Sequence, residues 1–129
     1  AIMEHGKEPR KEWMIQDRES HIEIYEQLEL PKDLPSAFVC NSDLAASKLI
    51  KALKEKGYRV PEDISVVGYD DYLYPGLCDI GITTYSVDME KMSQVGMEML
   101  LERMGGSENP YMMQVIEGKF IKRDSVQER

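Results

Sequence analysis

Two short polar and acidic clusters follow apolar runs in this sequence. Asn41-Ser42-Asp43 follows Ala37-Phe38-Val39-Cys40, and Tyr69-Asp70-Asp71 follows Ile64-Ser65-Val66-Val67-Gly68. A carboxylate accepts hydrogen bonds at both oxygens and can hold two adjacent hydroxyls of one molecule, which suits a sugar or polyol. Tyr69, Tyr72 and Tyr74 offer flat apolar faces for sugar C–H groups. If the two runs are neighbouring strands of a parallel sheet, Ser42, Asp43, Asp70 and Asp71 reach one edge, where open α/β sheets bind ligands. Each residue also has a plainer reading. Asp43 suits a helix N-cap, Asp71 can brace its own loop through local backbone bonds, and any of the tyrosines can be a core or interface residue.

Other chemistries have weaker support. A phosphorelay receiver also gathers acids at strand ends. Asp70-Asp71 would then form its metal pocket, with Asp43 as acceptor and Lys119 or Lys122 as the late lysine, but Asp43 opens a helix. Cys40, Cys78, His5 and His21 lack zinc-ligand spacing, so no metal is expected. No G-x-S-x-G elbow, G-x-G-x-x-G turn or P-loop is present, so no catalytic residue and no cofactor is expected and the chain reads as non-enzymatic. Cys40 lies inside an apolar run and reads as a small buried hydrophobe.

The elements that must position these residues follow from pattern. Residues 1–6 resemble a last helical turn stopped by Gly6, and residues 11–17, with Trp13, Met14 and Ile15, suggest a short strand. Ile22, Tyr25 and Leu28 have helical spacing, so residues 20–30 read as a helix ended by Pro31 and Pro35. Residues 36–41 read as a buried strand. Ala46, Leu49, Ile50 and Leu53 then mark a helix from Asp43 to a stop at Gly57, with Lys54 and Lys56 in its last turn. Residues 64–69 form a second buried strand and 82–85 a third. A helix runs over 88–104 to Gly105-Gly106, and residues 111–116 and 119–126 suggest a hairpin about Glu117-Gly118. Strand–helix alternation with short apolar strands predicts an α/β fold: three layers, with a mostly parallel sheet flanked by helices.

Composition sets the outer limits. The chain has 129 residues, 42% hydrophobic and 31% charged, which is globular rather than disordered. Its net charge of −8 argues against this chain gripping nucleic acid by itself. No apolar run approaches a membrane span. The first residues have no basic stretch followed by an apolar one, and only two cysteines occur, so a reducing cytoplasm is the expected location.

The run Pro61-Glu62-Asp63-Ile64-Ser65-Val66-Val67-Gly68-Tyr69-Asp70-Asp71 closely resembles a stretch of LacI/GalR-type transcriptional regulators. Pro35-Ser36-Ala37-Phe38-Val39-Cys40-Asn41-Ser42-Asp43-Leu44-Ala45-Ala46 resembles that family's strand and helix entry. Ile82-Thr83-Thr84 matches its "LTT" segment, the helix over 88–101 follows in the same order, and Lys122-Arg123-Asp124-Ser125 resembles its closing R-x-S.

The resemblance implies the C-terminal lobe of a periplasmic-binding-protein-like effector domain, spanning residues 1–129, without the DNA-binding head or the first lobe. It implies a small sugar-like effector (sugars and purines are both common in the family), DNA contact only through the absent head, a homodimer and no membrane. The ligand-binding set becomes Asp70, Ser42 and Asp43, with Tyr72 beside them; Ser42 stands where the family usually has Asn. The family's arginine contact would fall near or before the start of this chain. An extracellular solute-binding protein of a sugar transporter shares the fold and is the alternative. In the family the 88–104 helix packs on the first lobe. Its Met89, Met92, Met99, Leu100 and Met104 therefore predict dimerisation, a swapped arrangement or a local rearrangement, unless the helix folds back on its own sheet.

Overall fold

The computed structural model of the chain describes residues 4, 6, 8, 10–16, 18, 19, 22, 23, 28–72, 75–110 and 112–128. Its organising feature is a four-stranded sheet. After the short strands β1 (Arg18–Glu19) and β2 (Ile22–Glu23) come β3 (Ala37–Val39), α1 (Asp43–Glu55), β4 (Ser65–Asp70), β5 (Thr83–Ser86), α2 (Met89–Met104) and β6 (Lys119–Ile121). The large sheet has the order β3-β4-β5-β6. β3 pairs with β4, and β4 with β5, in parallel; β6 returns antiparallel to β5. The mostly parallel sheet is thus as expected.

α1 forms where its residues demand it. The Ser42 hydroxyl accepts the Ala45 amide at 3.2 Å and caps the helix. This corrects the reading of Asp43 as the cap: Ser42 has the extended backbone a cap needs, and Asp43 is already the first helical residue. At the other end Gly57 takes φ +87, the Gly57 amide bonds Lys54 O and the Tyr58 amide bonds Leu53 O, closing the free carbonyls. Ala46, Leu49, Ile50 and Leu53 face the sheet and pack with Phe38, Ile64, Val66 and Ile82 into the core.

Three expectations in the flanking segments are corrected. Within 11–17, Lys11–Trp13 is a 3-10 turn, not a strand. Here the Trp13 indole donates to Asp33 O at 2.9 Å, and Arg10 both stacks on Trp13 and pairs with Asp33. Within 20–30, Ile22–Glu23 pairs with Arg18–Glu19 as an antiparallel ladder, and residues 28–30 have no regular structure. A helix of that length is marginal unless it packs. Residues 20, 21 and 24–27, including Tyr25, lie outside the described residues, as do 1–3 and 5 of the opening turn. In the C-terminal region residues 112–118 are not a strand, and β6 pairs with β5 rather than in a hairpin about Gly118. Gly118 is there for close approach: a side chain would collide with Ser86 O and the Tyr85 ring.

α2 begins at Asp88, whose carboxylate accepts the Lys91 amide at 2.8 Å, and ends at Gly105-Gly106. Val95 is its one buried side chain, while Met89, Met92, Met97, Leu100, Leu101 and Met104 are exposed. The helix does not fold back to bury its apolar stripe. No helix among the described residues is long and apolar enough to cross a membrane.

Candidate functional site

The parallel register Phe38↔Val66 and Val39↔Val67 puts the carboxyl ends of β3 and β4 side by side. The Cys40 amide adds one more rung to Val67 O at 2.8 Å before the chain turns into α1. Ser42 is therefore delivered to the rim where β4 ends in Asp70. Asp43, Asp70 and Asp71 lie close enough to act on one another electrostatically. Asp43, Asp70 and Asp71 thus share one edge, with Ser42 next to Asp43 at the start of α1.

The loop after β4 has an unusual backbone. Asp70 and Asp71 are consecutive non-glycine residues with positive φ, 92° and 56°. Such conformations are costly and persist where surroundings fix them. Two contacts do so. The Tyr72 amide donates to Asp70 Oδ1 at 2.9 Å, and Arg123 Nη2 donates to Asp71 Oδ1 at 2.7 Å. Arg123 also donates through Nη1 to Ile82 O and through its amide to the Thr83 hydroxyl. Asp70 and Ser42 are partly exposed, and Tyr72 is 75% exposed. Tyr69 stacks on Tyr85 at 5.9 Å, so its ring has a structural partner. Tyr74 lies outside the described residues.

Asp43 differs from the rest of the set. It has no solvent exposure, and neither carboxylate oxygen has a hydrogen-bond partner among the described residues; the Thr84 hydroxyl is likewise buried and unpartnered. Burial pushes the Asp43 carboxyl up to about 6. The Thr84 hydroxyl opposes that rise, and the charges of Asp70 and Asp71 add to it. Gly68 makes room for this acid: a Cβ there would overlap the Asp43 carboxylate and crowd Ile82.

Sequence reasoning missed Arg123, Thr84 and Gly68 as parts of this site. The R-x-S and "LTT" segments were visible, but Arg123 lies 52 positions from Asp71, and only the fold joins them. Among the described residues, grooves of about 450 Å³ between α1 and residues 76–79, about 290 Å³ beside Trp13 and β3, and about 580 Å³ along α2 lie elsewhere. None is lined by Ser42, Asp43, Asp70 or Tyr72. No group of metal-ligating side chains occurs among the described residues.

Comparison with known proteins fits this geometry. Residues 1–126 match the family model of the periplasmic binding protein-like domain. The chain is 33% identical over 129 residues to the HTH-type transcriptional repressor PurR of Serratia proteamaculans (strain 568), covering 98% of this chain and 38% of that protein. The chain thus spans well under half the length of such relatives. Among solved structures, the transcriptional regulator CelR in complex with cellobiose superposes with TM-score 0.64 and 30% identity, over 70% of this chain and 28% of that one. The lac repressor dimer bound to operator and the anti-inducer ONPF gives TM-score 0.63 and 30% identity, over 73% and 32%.

Proposed function

This chain belongs to the periplasmic binding protein-like domain family, in its LacI/GalR-type regulator branch, and from that premise we propose that it is an effector-sensing lobe of a transcription regulator. The observation that carries this reading is the juxtaposition of Ser42 and Asp70 at the ends of two adjacent parallel strands. The ligand is a small hydroxyl-rich molecule of the sugar class. Asp70 accepts its hydroxyls, with one oxygen steadied by the Tyr72 amide. Ser42 adds a hydroxyl contact, Tyr72 an exposed aromatic face, and Asp43 acts at the same rim from a buried position.

The remaining parts of the reading follow from that role. The lobe is the C-terminal one, spanning residues 1–129. DNA is contacted through another part of the whole regulator, because the acidic balance of this chain repels phosphate. Ligand binding shifts the relation between lobes by its differential affinity for two arrangements. The regulator is a cytoplasmic, non-enzymatic homodimer, and the exposed apolar face of α2 is a surface that an assembled protein would cover. A transporter solute-binding protein is not favoured, since the relatives found are regulators.

Calorimetry tests the ligand reading. Cellobiose serves as the sugar probe and hypoxanthine as a purine of contrasting chemistry. Binding of the sugar, lost in Asp70→Ala with unchanged melting, supports it. Equal affinity in the wild type and Asp70→Ala contradicts the site, and binding of the purine alone contradicts the ligand class.

A further inference from the structure

A buried carboxyl with no hydrogen bond to either oxygen is rare in a native fold and calls for a physical account. Among the described residues Asp43 is such a group, set directly under the proposed rim. An ionised carboxylate in that place needs a cation or several donors. Arg123, which reaches Asp71 in this cluster, is committed to Asp71 and Ile82 O. Asp70 at the end of β4 and Asp71 in its loop bring like charge, and Thr84 on β5 brings a neutral hydroxyl. The N-terminus of α1 and the Thr84 hydroxyl favour the anion, but burial is the larger influence and raises the carboxyl to about 6.

We propose that Asp43 is a positioning residue for Asp70: uncharged, it supports the loop over 70–72 in its ligand-ready form, and ionised, it repels that loop. The proposal rests on the reading of Asp70 as a ligand contact. Two features connect the groups. Asp43 packs against Gly68 so closely that no side chain fits there, and Gly68 is two residues before Asp70 on the same strand. Any displacement of the acid is thus felt by the end of β4. The loop itself holds two residues at positive φ, restrained by the Tyr72 amide and by Arg123, so its geometry depends on a small number of contacts. An uncharged Asp43 also has an O–H to donate, and its polar neighbours are the Thr84 hydroxyl and Asp70.

Carbon-13 and amide NMR of the chain over pH 4 to 8 tests this without any ligand. Asp43 is assigned by the resonance missing in Asp43→Asn. The expected result is an Asp43 midpoint near 6, with the Tyr72 amide moving at the same midpoint. That movement should vanish in Asp43→Asn. Asp70→Asn, which removes a like charge, should lower the Asp43 midpoint. An Asp43 midpoint near 4, or a midpoint near 6 with a stationary Tyr72 amide, would overturn the proposal. If cellobiose binds, its affinity should weaken about five-fold in the wild type between pH 5 and 7.5 and stay constant in Asp43→Asn; a five-fold change is about 1 kcal/mol. Failure of cellobiose binding with the expected titration would defeat the ligand reading alone. Binding with an ordinary Asp43 titration would defeat the positioning role alone.

Discussion

Ser125 and Asp43 are both fully buried polar residues against the same sheet, yet they are treated in opposite ways. The Ser125 hydroxyl donates to Val66 O at 2.6 Å and accepts the Thr83 amide at 2.8 Å, while its own backbone bonds Val66 and Gly81. It fills the place beside β4 where β5 has not yet begun, and it locks the C-terminal tail there. Asp43, toward the opposite end of β4, has neither oxygen bonded among the described residues. A polar group with every bond made stabilises one arrangement. One with bonds unmade costs desolvation energy with nothing returned. The sheet therefore has a fixed end, where buried polar groups are bonded, and an end where Asp43 and Thr84 are not, and the candidate ligand residues are at the second.

Breaking the fixed end should have the largest effect. Ser125→Ala leaves Val66 O and the Thr83 amide without their side-chain partner and should cost about 3 kcal/mol in urea unfolding. A loss under about 0.5 kcal/mol would show that the tail is not the anchor described. The next effect has the opposite sign. The native Asp43 holds its proton to a higher pH than the unfolded chain does, so its contribution to stability is greatest below the ordinary carboxylate range. That contribution is lost as pH rises through about 6. Asp43→Asn should therefore stabilise the chain on the order of 2 kcal/mol at pH 8, with the gain fading toward pH 4. Melting curves of both proteins across that range check the sign; a variant less stable than the wild type at pH 8 would contradict it.

Arg123 joins the two ends, and its replacement should be intermediate. Lysine cannot reach Asp71 and Ile82 O together, so Arg123→Lys should cost about 1 kcal/mol. A double-mutant cycle with Asp71→Asn should be non-additive. Additive losses would mean that the 2.7 Å contact does not couple tail and loop. The exposed Lys54–Asp79 pair, at 2.6 Å, provides the smallest effect. The lysine holds the Asp79 carboxyl below its usual range, but solvent screens the pair, and Lys54→Met should change stability by about 0.5 kcal/mol or less.

The sequence was most readable in local pattern, although β3, expected to be buried, exposes Ala37 and Val39 and buries only Phe38. The apolar runs of β3 and β4, the spacing of Ala46, Leu49, Ile50 and Leu53, and the Gly57 and Gly105-Gly106 stops all led to the observed elements. The meeting of strand ends at the rim followed from parallel pairing. Less readable were groups whose role depends on distant partners. Arg123 serves Asp71 across the fold, Gly118 serves the Tyr85 ring, and Trp13 turns toward Asp33 rather than extending a strand. Ser42 and Asp43 show the finest limit. Both residue types cap helices, and only the backbone of Ser42 decided which one did. The burial of Asp43 depends on Gly68 and Thr84 from two other strands, which no local window contains.

The central claim, that the ends of β3 and β4 form a ligand-binding rim, is tested most directly by titrating cellobiose into the nitrogen-15-labelled chain. The account predicts amide shifts concentrated at residues 41–43 and 68–72 that saturate with sugar. Shifts confined to the groove between α1 and residues 76–79, or none at saturating sugar, would contradict it.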